Sequence, residues 1–240
     1  AHGRVRDGER DVALRQLYEA WKADVDTGKS SLMIAPDRDT VSDLNIRART
    51  DRILTGHVTA PGVPIAHGVA GEGDQITTRR NDRTLTTGRD WVRNGHTWTV
   101  TALHRDGSLT ARRNHDQRTL RLPADYVRKH VELGYATTAH RAQGRTVDTA
   151  HALVTMTTSR EALYVASTRG RQANTLHVVT EHDPDEQTQH GSADQRLTDA
   201  VLQAVLNNSA ADTSAHAVLR HERRRDARPS NAERTAVPPA

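Results

Sequence analysis

The chain has 240 residues, the size of one medium domain with an insertion or an extension. Only 35% of the residues are hydrophobic, Phe is absent, and the longest apolar runs have about five residues, which predicts a thin core and no membrane span. Because there is no Cys, disulfides, thiolate metal sites and cysteine nucleophiles are excluded. The N-terminus has no secretion-signal pattern, so we expect a cytoplasmic protein.

The positive charge is concentrated in one part of the chain. The formal net charge is +4 and the isoelectric point is about 9.8, and only three of the 34 basic residues are Lys. Residues 77–133 hold twelve Lys or Arg residues against six acidic ones. An Arg-rich segment that also contains Trp91, Trp98 and Tyr126 can follow a phosphate backbone and stack bases, or it can be an ordinary solvated face.

The first predicted elements are typical of a parallel sheet. Helical spacing of apolar residues begins at Val12, and residues 1–30 are assigned to a leading helix. The short apolar run from Leu32 to Ala35 predicts a buried strand. Thr40 is the expected N-cap of the next helix, whose apolar face carries Val41, Leu44 and Ala48. Strand, loop and helix in this order form a βα unit.

The middle of the chain changes to antiparallel patterning. Residues 55–75 are rich in Gly, Pro and His and indicate a loop. Period-two alternation and the turn dipeptide Asp106–Gly107 predict a β-hairpin, and further short strands flank it. The predicted strands are 74–78, 98–103, 109–111 and 119–122. Residues 77–133 are therefore predicted to form a small β-module inserted into an α/β chain.

The α/β pattern returns after Gly134. It predicts a strand at 150–155, a helix from Ser159 to Arg169 capped by Ser159, and a strand at 176–180. Residues 181–240 are polar, with helix-like patches at 197–206 and 215–223 and a tail from Arg224 that we expect to be disordered.

Two apparent ligand sites are interpreted as decoys. Asp26–Ser30 ends like a phosphate-binding loop, but Ala23 stands where the first Gly is needed and a strand follows instead of a helix. The fourteen His residues form no HExxH pair. The acidic cluster nearest to them lies in polar sequence and indicates solvated side chains; it comprises His182, Asp183, Asp185, Glu186 and His190.

Two segments near the C-terminal half carry the strongest functional signal. Tyr135–Gly144 is predicted to be a short polar loop at a sheet edge, with hydroxyls, His140, Arg141 and Gln143, groups that bind phosphates or sugars. Tyr164–Arg171 places two Arg residues at a helix end, where a cation is favourable. Taken singly, each segment is equally well explained as a polar stretch on the protein surface.

Together and in this order, the segments resemble the T-x-H-x-x-Q-G and Y-V-A-x-T-R-x-R motifs of superfamily 1 helicases. Agreement is closest with the RecD-like branch, in the helicase half of TraA/TrwC-type (MobF) conjugative relaxases. Residues 31–36 and 44–45 resemble the opening of that family's second RecA-like domain. The pattern GD, RND and NG at 73–74, 80–82 and 94–95 resembles the approach to its SH3-like insertion. The resemblance spans about residues 1–223.

The resemblance implies a fold: a RecA-like parallel sheet with helices, of the P-loop NTPase type, at residues 31–76 and 134–180, interrupted by an SH3-like β insertion at 77–133. It also implies roles. Arg169 would be the arginine finger, with Gln143, Gly144 and Arg171 near the ATP cleft. Single-stranded DNA would contact one set of residues on the RecA-like part and one on the insertion; these are Thr137, Thr138, His140 and Arg141, then Trp98, Arg112, Arg113 and Arg118. The family usually has Lys at the position of Arg141.

Several family elements have no counterpart in the sequence: the Walker A loop, the Asp-Glu strand, the first RecA-like domain and the relaxase Tyr and His residues. We therefore expect a fragment that is inactive alone. ATP and Mg²⁺ would be cofactors of the intact helicase, with Mg²⁺ held mainly by the missing N-terminal RecA-like domain, a partner in the same polypeptide or an upstream product. The alternatives are a non-catalytic nucleic-acid-binding module and a truncated, inactive helicase remnant.

Overall fold

The computed structural model describes residues 3–180 and 192–209, except for the side chains of 192–194. The strands are β1 (Val5–Gly8), β2 (Ser31–Ala35), β3 (Val63–Pro64), β4 (Val69–Ala70), β5 (Gln75–Thr78), β6 (Asp82–Thr87), β7 (Asp90–Val92), β8 (Thr97–Leu103), β9 (Leu109–Arg113), β10 (Thr119–Leu122), β11 (Val131–Leu133), β12 (Ala136–Thr138), β13 (Val147–Val154) and β14 (Gly170–Val179). The helices are α1 (Arg10–Asp26), α2 (Arg38–Leu54), α3 (Ala124–His130), α4 (Ala139–Ala142), α5 (Arg160–Ala166) and α6 (Ser192–Asn207).

A five-stranded parallel sheet forms one half of the molecule, in the order β1-β14-β13-β2-β12. Every residue of β2 is buried, because the strand lies inside the sheet and has helices on both faces. Leu32 and Ile34 pack with Ala142 of α4 and Ala166 of α5. The alternate residues Met33 and Ala35 belong to the cluster that includes α1 and α2. The predicted α/β class with a parallel sheet is confirmed.

Helix α2 begins earlier than predicted. Its N-cap is Asp37, whose carboxylate accepts hydrogen bonds from the Thr40 amide at 2.7 Å and the Thr40 hydroxyl at 2.9 Å. The assignment of the cap to Thr40 is therefore wrong, because Thr40 already lies in the first helical turn. For α5 the predicted cap is confirmed: Ser159 accepts from the Ala162 amide at 3.2 Å, although the helix ends at Ala166.

The inserted module is a five-stranded antiparallel sheet in the order β10-β9-β8-β5-β11. The predicted hairpin is β8 and β9, and Gly107 in its turn has φ +80°, which favours glycine. The sheet begins at Gln75, two residues before the predicted start of the insertion, and ends at Leu133. Patterning missed the hairpins β3-β4, in the predicted loop, and β6-β7.

Residues 1–30, assigned to a leading helix, contain the strand β1 of the parallel sheet before the helix α1, whereas the other predicted elements are found as parts of longer ones. The predicted strands at 150–155 and 176–180 are parts of β13 and β14, and the predicted helix at 197–206 lies within α6. Val201 and Val205 of α6 pack against Val154 and Val178 of the parallel sheet. The helix-like patch at 215–223, the tail from Arg224 and the His and acidic cluster at 182–190 lie outside the described residues.

A candidate two-sided helicase site

The predicted DNA-contacting loop lies at the carboxyl edge of the parallel sheet. Because the strands are parallel, β2, β12, β13 and β14 all end at this edge, and a cavity of about 1020 Å³ opens there. Thr138 ends β12 and lines the cavity together with His140 and Arg141 of α4. His140 is exposed and Thr138 half-buried, so both can reach a ligand in the cavity.

Thr137 does not share this position. Its side chain is 1% exposed and its hydroxyl has no hydrogen-bond partner among the described residues. In a strand, neighbouring side chains point to opposite faces, so Thr138 at the cavity turns Thr137 into the interior. The expectation that the Thr137 side chain contacts DNA is therefore corrected.

The two helicase-like motifs meet at the opposite, amino edge of the sheet. Gln143 and Gly144 form an exposed turn after α4, and Gly144 has φ +81°. The Arg169 guanidinium donates to the Arg145 carbonyl at 3.2 Å, and the Val147 amide donates to the Arg169 carbonyl at 3.0 Å. The residues that directly follow the Tyr135–Gly144 motif are therefore hydrogen-bonded to Arg169 of the second motif.

The guanidinium of Arg169 is bound to neutral groups. Besides the Arg145 carbonyl, it donates to the Val165 carbonyl at 3.0 Å and the Thr168 hydroxyl at 2.8 Å. Within the described ranges no carboxylate forms an ion pair with it. Its full positive charge is held half-buried at the edge of the sheet and is available to an anion.

Arg171 is engaged differently. It pairs with Asp148 at 2.8 Å, and Asp148 also accepts from the Ser30 hydroxyl at 2.7 Å and the Ser30 amide at 2.9 Å. The Ser30 hydrogen bonds, followed by Arg171, lower the pKa of Asp148 to about 2. Arg171 lies at the same edge as Gln143 and Gly144, but it already has an anionic partner.

A second cavity, of about 810 Å³, lies between the amino edge and the inserted module, and Gly144, Arg145 and Arg171 line it. The Arg145 guanidinium donates only to the Gly134 carbonyl, at 3.3 Å, and its Nη1 has no partner in the described part of the chain. Burial, and the nearby charge of Arg79, lower the pKa of Arg145 to about 10. Its position after the Gly turn gave no signal of this burial in the sequence.

Two of the four insertion side chains that were expected to contact DNA are buried. Trp98 is 0% exposed in the core of the module, so its indole cannot stack on a base, and this expectation is corrected. Arg113 is buried, and its ion pairs with Asp116 and with Asp90, the latter at 2.7 Å, hold it in place and raise its pKa. Both side chains are structural.

Other side chains of the insertion remain on its surface. Arg112 is exposed, and Arg118 is exposed but donates to the Thr87 carbonyl at 2.9 Å. Trp91 is half-buried between Arg83 and Arg93, whose guanidinium carbons lie 5.5 and 5.1 Å from its ring centroid. Of the aromatic residues in the basic segment, Trp91 has the surface position that stacking requires.

The decoy interpretation of Lys29 agrees with its surroundings. Its ammonium pairs with Asp24 at 2.8 Å, and the strand β2 follows it instead of a helix. Within the described ranges no three His or acidic residues are arranged to hold a metal ion. None of the helices in the described part of the chain is long and apolar enough to span a membrane.

The parallel sheet with helices on both faces makes this an α/β domain, and it carries a small inserted β-sheet. Comparison with known proteins adds to this classification. Residues 63–132 match the Rv2311 SH3-like barrel domain family. The uncharacterized protein Rv2311 of Mycobacterium tuberculosis is 40% identical over 90 residues, 37% of this chain and 52% of that protein. The conjugal transfer protein TraA of Agrobacterium fabrum is 31% identical over 167 residues, 67% of this chain and 14% of TraA.

The similarity to TraA agrees with the resemblance to conjugative relaxases of the TraA type. The crystal structure of Bacteroides Pif1 bound to ssDNA aligns with 62% of this chain and 40% of that chain, at 19% identity and a TM-score of 0.45. The chain spans about half of the length of Rv2311 and 14% of that of TraA.

Proposed function

We propose that this chain is the second motor domain of an ATP-dependent DNA helicase of the TraA and RecD-like type. In this role it binds single-stranded DNA at the carboxyl edge of its sheet and supplies Arg169 to an ATP site shared with a first RecA-like domain. The relationship with TraA and the contact between the two motifs support the proposal.

One observation carries it: a single turn of helix joins the two edges. Helix α4 has four residues, with Thr138 and His140 at its start and Gln143 and Gly144 directly after it. Helix α4 would therefore link a DNA strand bound at the carboxyl edge to a nucleotide bound at the amino edge. Movement of α4 would couple a change in the ATP cleft to the DNA contact.

The chemistry expected of Arg169 follows from its surroundings. Phosphoryl transfer develops charge on the γ-phosphate oxygens, and an Arg that approaches them stabilises this charge. Because Arg169 now donates to carbonyls and a hydroxyl, it can move to a phosphate without breaking an ion pair. Mg²⁺ would be held mainly by the first domain, since the sequence has no counterpart of the family's Walker A loop or Asp-Glu strand.

The test is reconstitution of ATPase activity with a separately supplied first RecA-like domain of a TraA-type relative. We expect the mixture, and neither part alone, to hydrolyse ATP in response to single-stranded DNA. Arg169→Ala should lower this rate by about a thousandfold or more, since an arginine finger contributes that much. Arg169→Lys should not restore it, because Lys lacks the planar guanidinium.

Arg171→Ala is the matched control, because Arg171 lies at the same edge but already pairs with Asp148. DNA affinity, measured by fluorescence anisotropy, should stay within about twofold of wild type for both Ala variants, since neither residue lies at the DNA edge. A reconstituted rate that Arg169→Ala leaves unchanged would overturn the assignment. ATP hydrolysis by this chain alone would contradict the interpretation of Lys29.

The comparison with Rv2311 favours a second candidate, a nucleic-acid-binding module without ATPase activity. The 90 matched residues are more than half of Rv2311, so a protein that carries this barrel can be short. For such a module we expect DNA binding in anisotropy, no ATPase in reconstitution and no effect of Arg169→Ala on either. The same set of measurements therefore separates the two functions.

A further inference from the structure

Glu132 occupies the junction between the SH3-like barrel and the predicted DNA-contacting loop. It lies on β11 of the barrel, and its carboxylate faces three basic side chains. Arg79 of the barrel donates to Oε2 at 2.6 Å, and Arg141 of α4 donates to the same oxygen at 2.9 Å. The His67 ring lies 3.9 Å from Oε1. Sequence patterning did not identify Glu132, because its partners are distant along the chain.

Arg141 lies between two cavities. On one side it lines the cavity of about 1020 Å³ at the carboxyl edge, next to Thr138 and His140. On the other it lines a cavity of about 320 Å³ together with Glu132 and His67. The Arg141 side chain is 33% exposed, so a change of rotamer can move its guanidinium from one cavity to the other.

We infer that Glu132 is a positioning residue that competes with a nucleic-acid phosphate for Arg141. Binding of a DNA strand then breaks the contact of the loop with the barrel. The inference rests on the proposed function, because it requires a DNA strand at the carboxyl edge of the sheet. A guanidinium pairs well with either a carboxylate or a phosphate. When Arg141 turns to a phosphate, its ion pair with Glu132 is lost.

The loss of the Arg141 ion pair should cost the barrel little stability. Glu132 remains paired with Arg79 after Arg141 leaves, so no half-buried carboxylate is left without a partner. Both members of that pair are well shielded, with side chains 14% and 16% exposed. Glu132 therefore has one permanent cation within the barrel and one exchangeable cation on the loop.

The test is the affinity of the full chain for a labelled oligothymidylate, measured by fluorescence anisotropy at several salt concentrations. Glu132→Gln frees Arg141 and should tighten binding by about twofold to fivefold, the range expected for a partly exposed ion pair. The plot of log K against log salt should steepen by about 0.7, because the phosphate contact no longer exchanges one ion pair for another. A purely structural role for Glu132 predicts weaker binding instead.

Arg141→Gln provides the matched control. It should weaken binding, and adding Glu132→Gln in that background should change neither the affinity nor the salt slope. If wild type binds and Arg141→Gln weakens it, but Glu132→Gln gives no tightening or tightens both backgrounds equally, the competition is overturned. If wild type does not bind the oligonucleotide at all, the proposed function itself fails at this edge.

A second variant covers damage to the fold. Glu132→Gln leaves the shielded Arg79 guanidinium without its carboxylate, and this lowers the stability of the fold. The double variant Arg79→Gln and Glu132→Gln removes both charges together. It should show the same tightening and the same steeper salt dependence, and thermal unfolding should confirm that it is folded. Weaker binding by this folded variant would overturn the inference.

Discussion

His177 is a buried residue that makes the stability of the fold depend on pH. Its ring is 0% exposed, and neither ring nitrogen has a partner among the described residues. The His151 ring lies beside it, with centroids 5.8 Å apart. Burial, followed by the charges of His151 and Arg6, lowers the pKa of His177 from 6.5 to about 3. The folded protein therefore keeps this imidazole neutral.

The lowered pKa predicts a loss of stability in acid. Between pH 6.5 and about 3 the unfolded chain binds a proton at this residue that the folded chain does not. The free energy of unfolding should therefore fall by about 1 kcal/mol for each pH unit between about pH 6 and pH 3 from this residue alone. We expect His177→Leu to reduce the slope of stability against pH in urea unfolding between about pH 6 and pH 4.5.

His115→Leu is the comparison for this experiment, since His115 is exposed in the turn after β9. It should leave the pH slope at the wild-type value. Equal slopes for wild type and His177→Leu would show that the buried ring does not oppose protonation.

Trp98 illustrates what the residue pattern contained and what it did not. Trp98 and Val100 alternate with half-buried Thr residues along β8, and this period of two predicts that both face the core. The family resemblance pointed to DNA instead, and the alternation was the better guide. By contrast, the pairing of Arg113 with Asp90 depends on where the β6-β7 hairpin lies relative to β9, which no local pattern specifies.

At the scale of elements, prediction succeeded where burial is continuous and the element is long enough to show a period. Strand β2 was predicted because all five of its residues are buried, and α2 because its apolar face spans several turns. Helix α4 has only four residues, too few for a helical period, so it was interpreted as a loop. The junction of the two motifs at Arg169 likewise depends on the pairing of β13 with β14.

The cap of α2 gives a prediction at this scale. Asp37 accepts from the Thr40 amide at 2.7 Å, and this satisfies one of the free donors at the helix start. Asp37→Ala should lower the free energy of unfolding by about 1 kcal/mol, whereas Asp37→Asn should retain most of it. Urea unfolding measures both.

Asp39→Ala is the matched control for the cap, because Asp39 lies in the first turn but does not cap the helix. We expect it to cost only a few tenths of a kcal/mol, through the helix dipole. A loss for Asp39→Ala as large as that for Asp37→Ala would assign the effect to charge and not to capping.

At the scale of the whole molecule, the parallel sheet and the barrel share one core. A single apolar cluster includes Trp21 of α1, Tyr135 at the junction, and Ile76 and Trp98 of the barrel. The Trp21 and Tyr135 rings meet edge to face with centroids 5.8 Å apart. The Tyr135 hydroxyl donates to Asp74 at 2.7 Å, so the junction is both apolar and hydrogen-bonded. Two patterns that differ in the sequence thus belong to one packed unit.

The shared core predicts that the parallel sheet and the barrel unfold in one transition. Calorimetry and a substitution of Arg49 test this prediction. Arg49 of α2 pairs at 2.9 Å with Asp74, a carboxylate that is 0% exposed at the start of the barrel. Calorimetry of the wild type should give one transition whose calorimetric and van't Hoff enthalpies agree. Arg49→Met leaves the Asp74 charge buried without its cation and should cost about 3–5 kcal/mol. Adding Asp74→Asn should recover part of this loss, because the uncompensated charge is then gone. Two separate transitions in the wild type would contradict the shared core, because a barrel that unfolds alone is not stabilised by its contacts with the parallel sheet.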